Sequence, residues 1–225
     1  MVKSTAKSDA AIQQDVQREL QWDTRVEETE VGVEVDDGIV MLTGTVSSYA
    51  KKLAAQEAAH RVRGVRDVVN NITVKNPGVG GRTDADIARA VRQALEWDPL
   101  VPEERISTTV SDGWVTLEGE VDRWTQREDA EHAVRHLAGV QGVTNRITVR
   151  APHVAPEAVR TAIEDALLRQ AEREAARINV AVHDGTVTLS GHVRTWREKE
   201  AILGAAGHAP GVHGVEDRIR IEPWL

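Results

Sequence analysis

The chain has no cysteine among its 225 residues. This absence excludes disulfide frameworks, thiolate nucleophiles, cysteine-based zinc sites and thiol redox chemistry. The apolar stretches are a few residues long, far short of the roughly 20 needed to span a bilayer. Residues 1–16 also lack the apolar run that a secretory signal requires. These absences predict a chain without a transmembrane segment, and we expect it in the cytoplasm.

Basic residues are in deficit as well. The chain has 28 lysines and arginines against 36 aspartates and glutamates, which gives a formal net charge of -8. A field of that sign disfavours nucleic acid. We therefore expect no nucleic-acid partner.

Sequence signatures of catalysis are missing too. No Ser-His-Asp order, carboxylate pair in a predicted cleft or nucleotide fingerprint recurs along the chain. His132 and His136 have the spacing of a two-histidine metal pair on a helix, but no glutamate lies between them and no equivalent pair occurs elsewhere in the chain. The sequence predicts a protein that is not an enzyme and that has no cofactor and no metal site.

What the chain does contain is one pattern written three times. The pattern is anchored by three glycines, which are Gly38, Gly44 and Gly64 in its first copy. The same spacing returns at Gly113, Gly119, Gly139 and at Gly185, Gly191, Gly211. Self-similarity at a fixed period indicates a repeat architecture. We predict an N-terminal tail (1–8), domain 1 (9–75), a glycine-rich linker (76–83), domain 2 (84–150), a short linker (151–154) and domain 3 (155–225).

Each copy has the same order of predicted elements. It opens with an apolar stripe at every fourth residue (Ile12, Val16 and Leu20 in copy one), as in an amphipathic helix. Two alternating runs then flank Asp37-Gly38, a dipeptide that favours a tight hairpin. An alanine-rich helix and a last alternating strand follow. The predicted fold is α+β, with three tandem α-β-β-α-β sandwich domains, each a three-stranded mixed sheet covered by two helices.

Two glycines of each copy carry more detailed predictions. The second helix is expected to end at Gly64, Gly139 or Gly211, because glycine commonly closes a helix. Gly44 lies on the inward side of its strand, so another backbone should approach it closely, and we expect that to be the helix crossing the sheet.

The assembled pattern resembles the BON domain, a module named after bacterial OsmY and nodulation proteins. The resemblance is carried by DGIVMLTGTV, DGWVTLEGEV and DGTVTLSGHV, by the alanine-rich helix, and by GVRDVVNNITV, GVQGVTNRITV and GVHGVEDRIRI. It covers nearly the whole chain. Copy three departs from the pattern by placing Asp217 where the other copies have asparagine.

The resemblance implies a non-enzymatic binding module. BON proteins are mostly exported bacterial proteins associated with osmotic and envelope stress and proposed to contact phospholipid, and an intracellular relative that carries a LysM domain binds potassium. The first hypothesis is a scaffold of three BON domains, related to osmotic or general stress, that contacts a protein or a phospholipid surface. The alternative is a sensor of a small ligand or ion, with potassium as the first candidate.

Aromatic residues are the candidate interaction surface. Trp22 and Trp97 end the first helix of copies one and two, where they either pack on a neighbouring element or anchor the protein at a membrane interface. Trp114 lies on the outward side of a strand. Tyr49, Trp124 and Trp196 share one position at the start of the second helix, and this position suits docking between copies or contact with an external partner.

A polar residue recurs on the apolar side of the last strand, at Asn70, Asn145 and Asp217. A polar group in such a place needs hydrogen-bond partners. We interpret it either as a structural link to the preceding glycine loop (Gly64, Gly139, Gly211) or as an anchor for a ligand beside that loop.

Overall fold

The computed structural model describes residues 7–75, 82–150, 154–170 and 178–222. The N-terminal tail and the two predicted linkers lie mostly outside these ranges. The described residues form three units of the same design, each with two helices on one face of a small sheet. The predicted α+β fold is thereby confirmed.

Six α-helices are found in the described residues, two in each unit. They are α1 (Asp9–Trp22), α2 (Tyr49–Arg61), α3 (Asp84–Trp97), α4 (Trp124–Arg135), α5 (Pro156–Gln170) and α6 (Trp196–Gly207). Ile12, Val16 and Leu20 are all buried, as the stripe on α1 predicts. Ser8 caps α1 by accepting a hydrogen bond from the backbone N–H of Ala11, which satisfies one of the donors left over at a helix start.

The sheets have the same strand order in each unit. Their strands are β1 (Val31–Asp36), β2 (Ile39–Val46), β3 (Asp67–Asn70), β4 (Thr73–Val74), β5 (Ile106–Ser111), β6 (Trp114–Val121), β7 (Gly142–Val149), β8 (Ile178–His183), β9 (Thr186–Val193) and β10 (Gly214–Ile221). The central strands β2, β6 and β9 pair antiparallel with the strand before them and parallel with the strand after the helix. In domain 1 the parallel strand is divided into β3 and β4, which share one register against β2.

The hairpin turns have the predicted geometry. Asp37, Asp112 and Asp184 have φ between 44° and 49°, and the glycine after each also has a positive φ. Aspartate tolerates this left-handed conformation and glycine adopts it without steric cost.

The backbone beside Gly44 is a different one from that predicted. A Cβ atom built on Gly44 would lie 2.1 Å from the carbonyl oxygen of Glu30. The chain entering the neighbouring strand β1 therefore makes the close approach, and the helix does not.

The second helix of each unit also ends earlier than predicted. Helix α2 ends at Arg61, three residues before Gly64, and a turn follows in which Gly64 has φ 108°. Gly139 and Gly211 occupy the same place after α4 and α6. The glycine therefore belongs to the loop that leads to the last strand, and the helix closes without it.

Three separate cores are built from the inward residues of each sheet and its helices. Alanines such as Ala55, Ala58 and Ala130 are completely buried where the second helix meets the sheet, because small side chains let the two approach closely. Among the described residues, no helix has the length and apolar character to cross a bilayer.

Candidate functional site

The two tryptophans that end the first helices are exposed. Trp22 and Trp97 retain 81% and 75% of their accessible surface. Leu100, just after Trp97, is 63% exposed. The helix stripe explains this position, because its buried residues face the sheet and the last residue of the helix has turned away from it. The equivalent position in domain 3 is Arg169, whose side chain lies outside the described part of the structure.

The aromatic residues that begin the second helices have a different environment. Trp196, the first residue of α6 in domain 3, packs against the core of domain 1 as well as its own. Its ring stacks on the imidazole of His60, with centroids 3.8 Å apart and an interplanar angle of 13°. His60 lies near the end of α2, so this contact joins domain 3 to domain 1.

Equivalent contacts join the other two pairs of domains. Tyr49 of domain 1 packs against the core of domain 2. Burial raises the pKa of its hydroxyl, and Glu131 on helix α4 adds to that effect. Trp124 of domain 2 lies against Gly207 of domain 3, where an added Cβ would be 2.5 Å from its ring. His60 and Gly207 stand at matching positions near the ends of α2 and α6.

The three contacts therefore form a cycle. The aromatic residue of domain 1 packs on domain 2, that of domain 2 packs on domain 3, and that of domain 3 packs on domain 1. Such a head-to-tail interface closes when the rotation between neighbours completes a circle. We refer to the arrangement as the ring, and to the contacts of Tyr49, Trp124 and Trp196 as its three seams.

Sequence reasoning did not identify His60 and Gly207 as partners of these aromatic residues. Copy two has Arg135 at the matching position, and its charge acts on the hydroxyl of Tyr49. The available signal was the aromatic residue at the start of every second helix, which indicated a contact without naming the residue on the other side.

The recurrent polar residues of the last strands bind the second helix of their own domain. Asn70 donates from Nδ2 to the carbonyl oxygen of Lys52 at 3.0 Å and to Gln56 Oε1 at 3.2 Å. Asn145 repeats this with the carbonyl oxygen of Arg127 at 2.8 Å and with Glu131 Oε2 at 3.1 Å. The predicted link to the glycine loop is wrong, because the partners lie on α2 and α4.

Asp217 of domain 3 makes the corresponding link with a charge. Its carboxylate is 2.7 Å from Lys199 Nζ, and its Oδ1 accepts the backbone N–H of Ile219 at 3.0 Å. Leu203 stands where domain 2 has Glu131, so no second carboxylate opposes Asp217 from that position. All three polar residues have partners within their own domain, which favours the structural interpretation over the ligand anchor.

The loop glycines Gly64, Gly139 and Gly211 also face their own domains. The carbonyl oxygen of Gly64 approaches the hairpin at Gly38, and the same contact recurs between Gly139 and Gly113 and between Gly211 and Gly185. A Cβ on Gly64 or Gly139 would press on the first isoleucine of the preceding helix stripe. These close approaches account for glycine without a ligand.

A further structural role belongs to the first residue of α1 and α3. Asp9 accepts hydrogen bonds from the backbone N–H groups of Asp37 and Gly38 at 3.0 and 2.9 Å. Asp84 does the same for Asp112 and Gly113, both at 2.9 Å. Each aspartate thus meets a turn that lies 28 and 29 positions further along the chain, a contact that no local sequence pattern predicts. Domain 3 has Pro156 at this position.

The remaining candidate residues are Trp114, for the interaction surface, and the pair His132 and His136, for a metal site. The ring of Trp114, 53% exposed, covers Gly142 on the neighbouring strand β7. The rings of His132 and His136 are 6.4 Å apart and nearly perpendicular, and His136 follows the last residue of α4. Within the ranges described, no three histidine, aspartate or glutamate side chains are grouped as a metal would require.

Two histidines have lowered pKa values. Burial lowers the pKa of His60 to about 4, with a smaller contribution from Lys199. Burial likewise lowers the pKa of His136, helped by the neighbouring Arg135 and His132. Both imidazoles are thus held in the neutral form.

Comparison with known proteins identifies a relative in sequence and two matched structures. Osmotically-inducible protein Y of Escherichia coli strain K12 is 28% identical over 146 residues, which make up 63% of this chain and 73% of that protein. Two solved structures of CdsD, a structural protein of the type III secretion system of Chlamydia trachomatis, cover 93% and 96% of this chain and 91% and 100% of their own. Their identities are 15% and 14% and their TM-scores 0.26 and 0.27, values too low to support any inference.

The BON domain matches this chain three times, at residues 8–76, 83–151 and 157–223. These matches cover nearly the whole sequence and coincide with the three α+β units. The chain therefore belongs to the BON domain family and carries three copies of the domain.

Proposed function

We propose that the protein is a non-enzymatic BON protein of the osmotic stress response, and that it binds a phospholipid surface through Trp22 and Trp97. The observation that carries this proposal is the exposure of both indoles, 81% and 75%, at equivalent positions of two domains. Indole rings are favoured at membrane interfaces, where the apolar ring meets the acyl boundary and the N–H stays hydrated.

The ring supports simultaneous contact by both tryptophans. Equivalent residues of domains related by rotation about one axis lie at the same height along that axis. From the cyclic order of the seams we infer that Trp22 and Trp97, which occupy equivalent positions, project toward the same side of the ring. Leu100 adds exposed apolar surface close to Trp97 in the chain. Two shallow anchors on one side can engage a flat surface together, and each raises the effective concentration of the other.

The charge of the protein indicates what kind of lipid contact to expect. At a net charge of -8 the protein gains no long-range attraction from an anionic bilayer. Binding should depend on burial of the indoles at the interface, so it should be as strong on zwitterionic as on anionic vesicles and little affected by salt. Insensitivity to salt and to lipid charge distinguishes this contact from binding by a basic patch.

The stress-related part of the proposal rests on similarity. Phospholipid-type surfaces are contacted by BON domains in general, and the similar protein from Escherichia coli is named as osmotically inducible. The non-enzymatic part rests on the same family membership. It is also supported by the recurrent polar residues of the three domains, which hold strand to helix.

Flotation with phosphatidylcholine vesicles tests the lipid contact. The double variant Trp22→Ala, Trp97→Ala should lower the partition coefficient for the vesicles by about tenfold or more, because each indole loses apolar surface worth about 1 kcal/mol or more at the interface. Trp114→Ala is the matched control, because it removes an exposed tryptophan from the outer face of a sheet. Equal binding by the double variant and the wild type would refute the proposal, as would equal loss in the Trp114 control.

A further inference from the structure

The seam between domains 1 and 3 differs from the other two. It joins domains that are not consecutive in the chain, so no direct linker holds them together. It is also the only one of the described seams in which an aromatic residue stacks on a histidine. Closure of the ring therefore depends at this point on non-covalent contact with a titratable group.

We propose that the stacked pair of His60 and Trp196 is an acid-sensitive latch, which holds the ring closed while His60 is neutral and releases domain 1 from domain 3 when it is protonated. Trp196 bridges the cores of domains 1 and 3, and the imidazole lies flat against it at 3.8 Å. A charge on that imidazole would lose its hydration as long as the seam stayed closed.

A second observation opposes a cation at this site. The ammonium group of Lys199 already lies 5.0 Å from the centre of the Trp196 ring. Its position is fixed by Asp217 at 2.7 Å and by the carbonyl oxygen of Ile219 at 3.0 Å. Protonated His60 would be a second cation beside the same indole. An aromatic ring attracts a cation, but repulsion from Lys199 would oppose that attraction here.

The other charged groups around His60 come from every element packed nearby. They are Glu57 and Arg61 on α2, Asp67 on β3, His132 and Arg135 on α4, and Arg197, Lys199 and Glu200 on α6. Glu57 and Asp67 favour the charged imidazole, but Glu57 is already paired with Arg25 at 2.9 Å. Burial outweighs both carboxylates, which is why the neutral form is preferred in the closed ring.

The seam also buries a polar group that has no hydrogen-bond partner in the described part of the chain, and this favours opening. Within the described residues, the buried indole N–H of Trp196 has no hydrogen-bond acceptor. An unsatisfied buried donor costs roughly 1–3 kcal/mol. Opening the seam hydrates this group, so part of the apolar gain from closure is already offset at neutral pH.

The direction of the pH effect follows from linkage. In the open ring the imidazole has its ordinary pKa of 6.5, and in the closed ring its pKa is about 4. The open form binds the proton more tightly, so opening is favoured as the pH falls from 6.5 toward 4, and below that the effect of this group levels off. At pH 5 the open-to-closed ratio should rise by at most about 20-fold over that at pH 7, and by less where solvent screens the charge.

Spin-label distances in the full chain test the latch. Because the chain has no cysteine, labels can be placed at will, and Glu34→Cys with Ala181→Cys marks equivalent exposed positions of domains 1 and 3. The label-to-label distance should lengthen between pH 7 and pH 4.5, with a midpoint between 4 and 6.5. An unchanged distance over that range would overturn the proposal.

Two variants identify the group responsible. His60→Phe keeps an aromatic ring against Trp196 without a titratable nitrogen, so its distance should stay constant to pH 4.5. His183→Gln removes a side chain that is 95% exposed in domain 3, and it should open as the wild type does. Circular dichroism confirms that each variant is folded. If His60→Phe opened at the wild-type midpoint, another group would have to be the trigger and the latch would be refuted.

Discussion

At the scale of single residues, Gly204 and Gly207 show how a seam constrains sequence. Both lie in the last turns of α6. An added Cβ would meet nothing within 4 Å at Gly204, but at Gly207 it would be 2.5 Å from the ring of Trp124. Glycine is unfavourable in a helix, so its presence at Gly207 needs a reason. The approach of domain 2 supplies that reason.

Alanine at the two positions should have opposite effects. Gly204→Ala should raise the free energy of unfolding by about 0.5–1 kcal/mol, the usual gain for this change inside a helix. Gly207→Ala should lower it, because the Trp124 ring must move out of the seam. Urea unfolding of both variants provides the measurement. Equal stabilisation by the two changes would mean that Trp124 does not press on Gly207 in solution.

At the scale of elements, a helix start holds a hairpin in domains 1 and 2. Asp84→Ala removes the acceptor of two backbone N–H groups at the turn between β5 and β6. We expect domain 2 to lose about 1–3 kcal/mol, the usual cost of leaving such donors without a partner. Hydrogen exchange at Asp112 and Gly113 should speed up. Glu96→Ala, an exposed change on the same helix, should leave both amides as protected as in the wild type.

The elements were largely predictable from the sequence because their signals are local. Hairpins follow from Asp-Gly dipeptides, and the parallel third strand follows from a crossover helix. The end of α2 was misplaced because Gly64 is needed three residues later, where the loop passes close to Ile12. The seams were beyond prediction, because no local pattern relates Trp196 to His60 or Trp124 to Gly207. Aromatic periodicity revealed one half of each contact only.

At the scale of the whole molecule, the seams couple domains that are individually small. A domain of about 60 residues buries only roughly 60% of its unfolded surface and is marginal alone. Trp124→Ala should therefore lower the stability of domain 3 as well as domain 2, by about 1–3 kcal/mol in total. Residue-resolved hydrogen exchange should show the loss at both ends of the seam. Trp114→Ala should affect domain 2 alone, and spread of its effect to domain 3 would contradict this account.

The head-to-tail order of the seams explains why three copies are a sufficient number. Each domain contributes one aromatic residue and one facing position near the end of its second helix. The facing positions hold His60, Arg135 and Gly207. With two copies, one aromatic residue and one facing position would have no partner. Chains would then be free to join end to end into open filaments. A third copy supplies a partner for each of them. All three contacts are thus made within one chain, which leaves none of these aromatic residues free to join a second molecule.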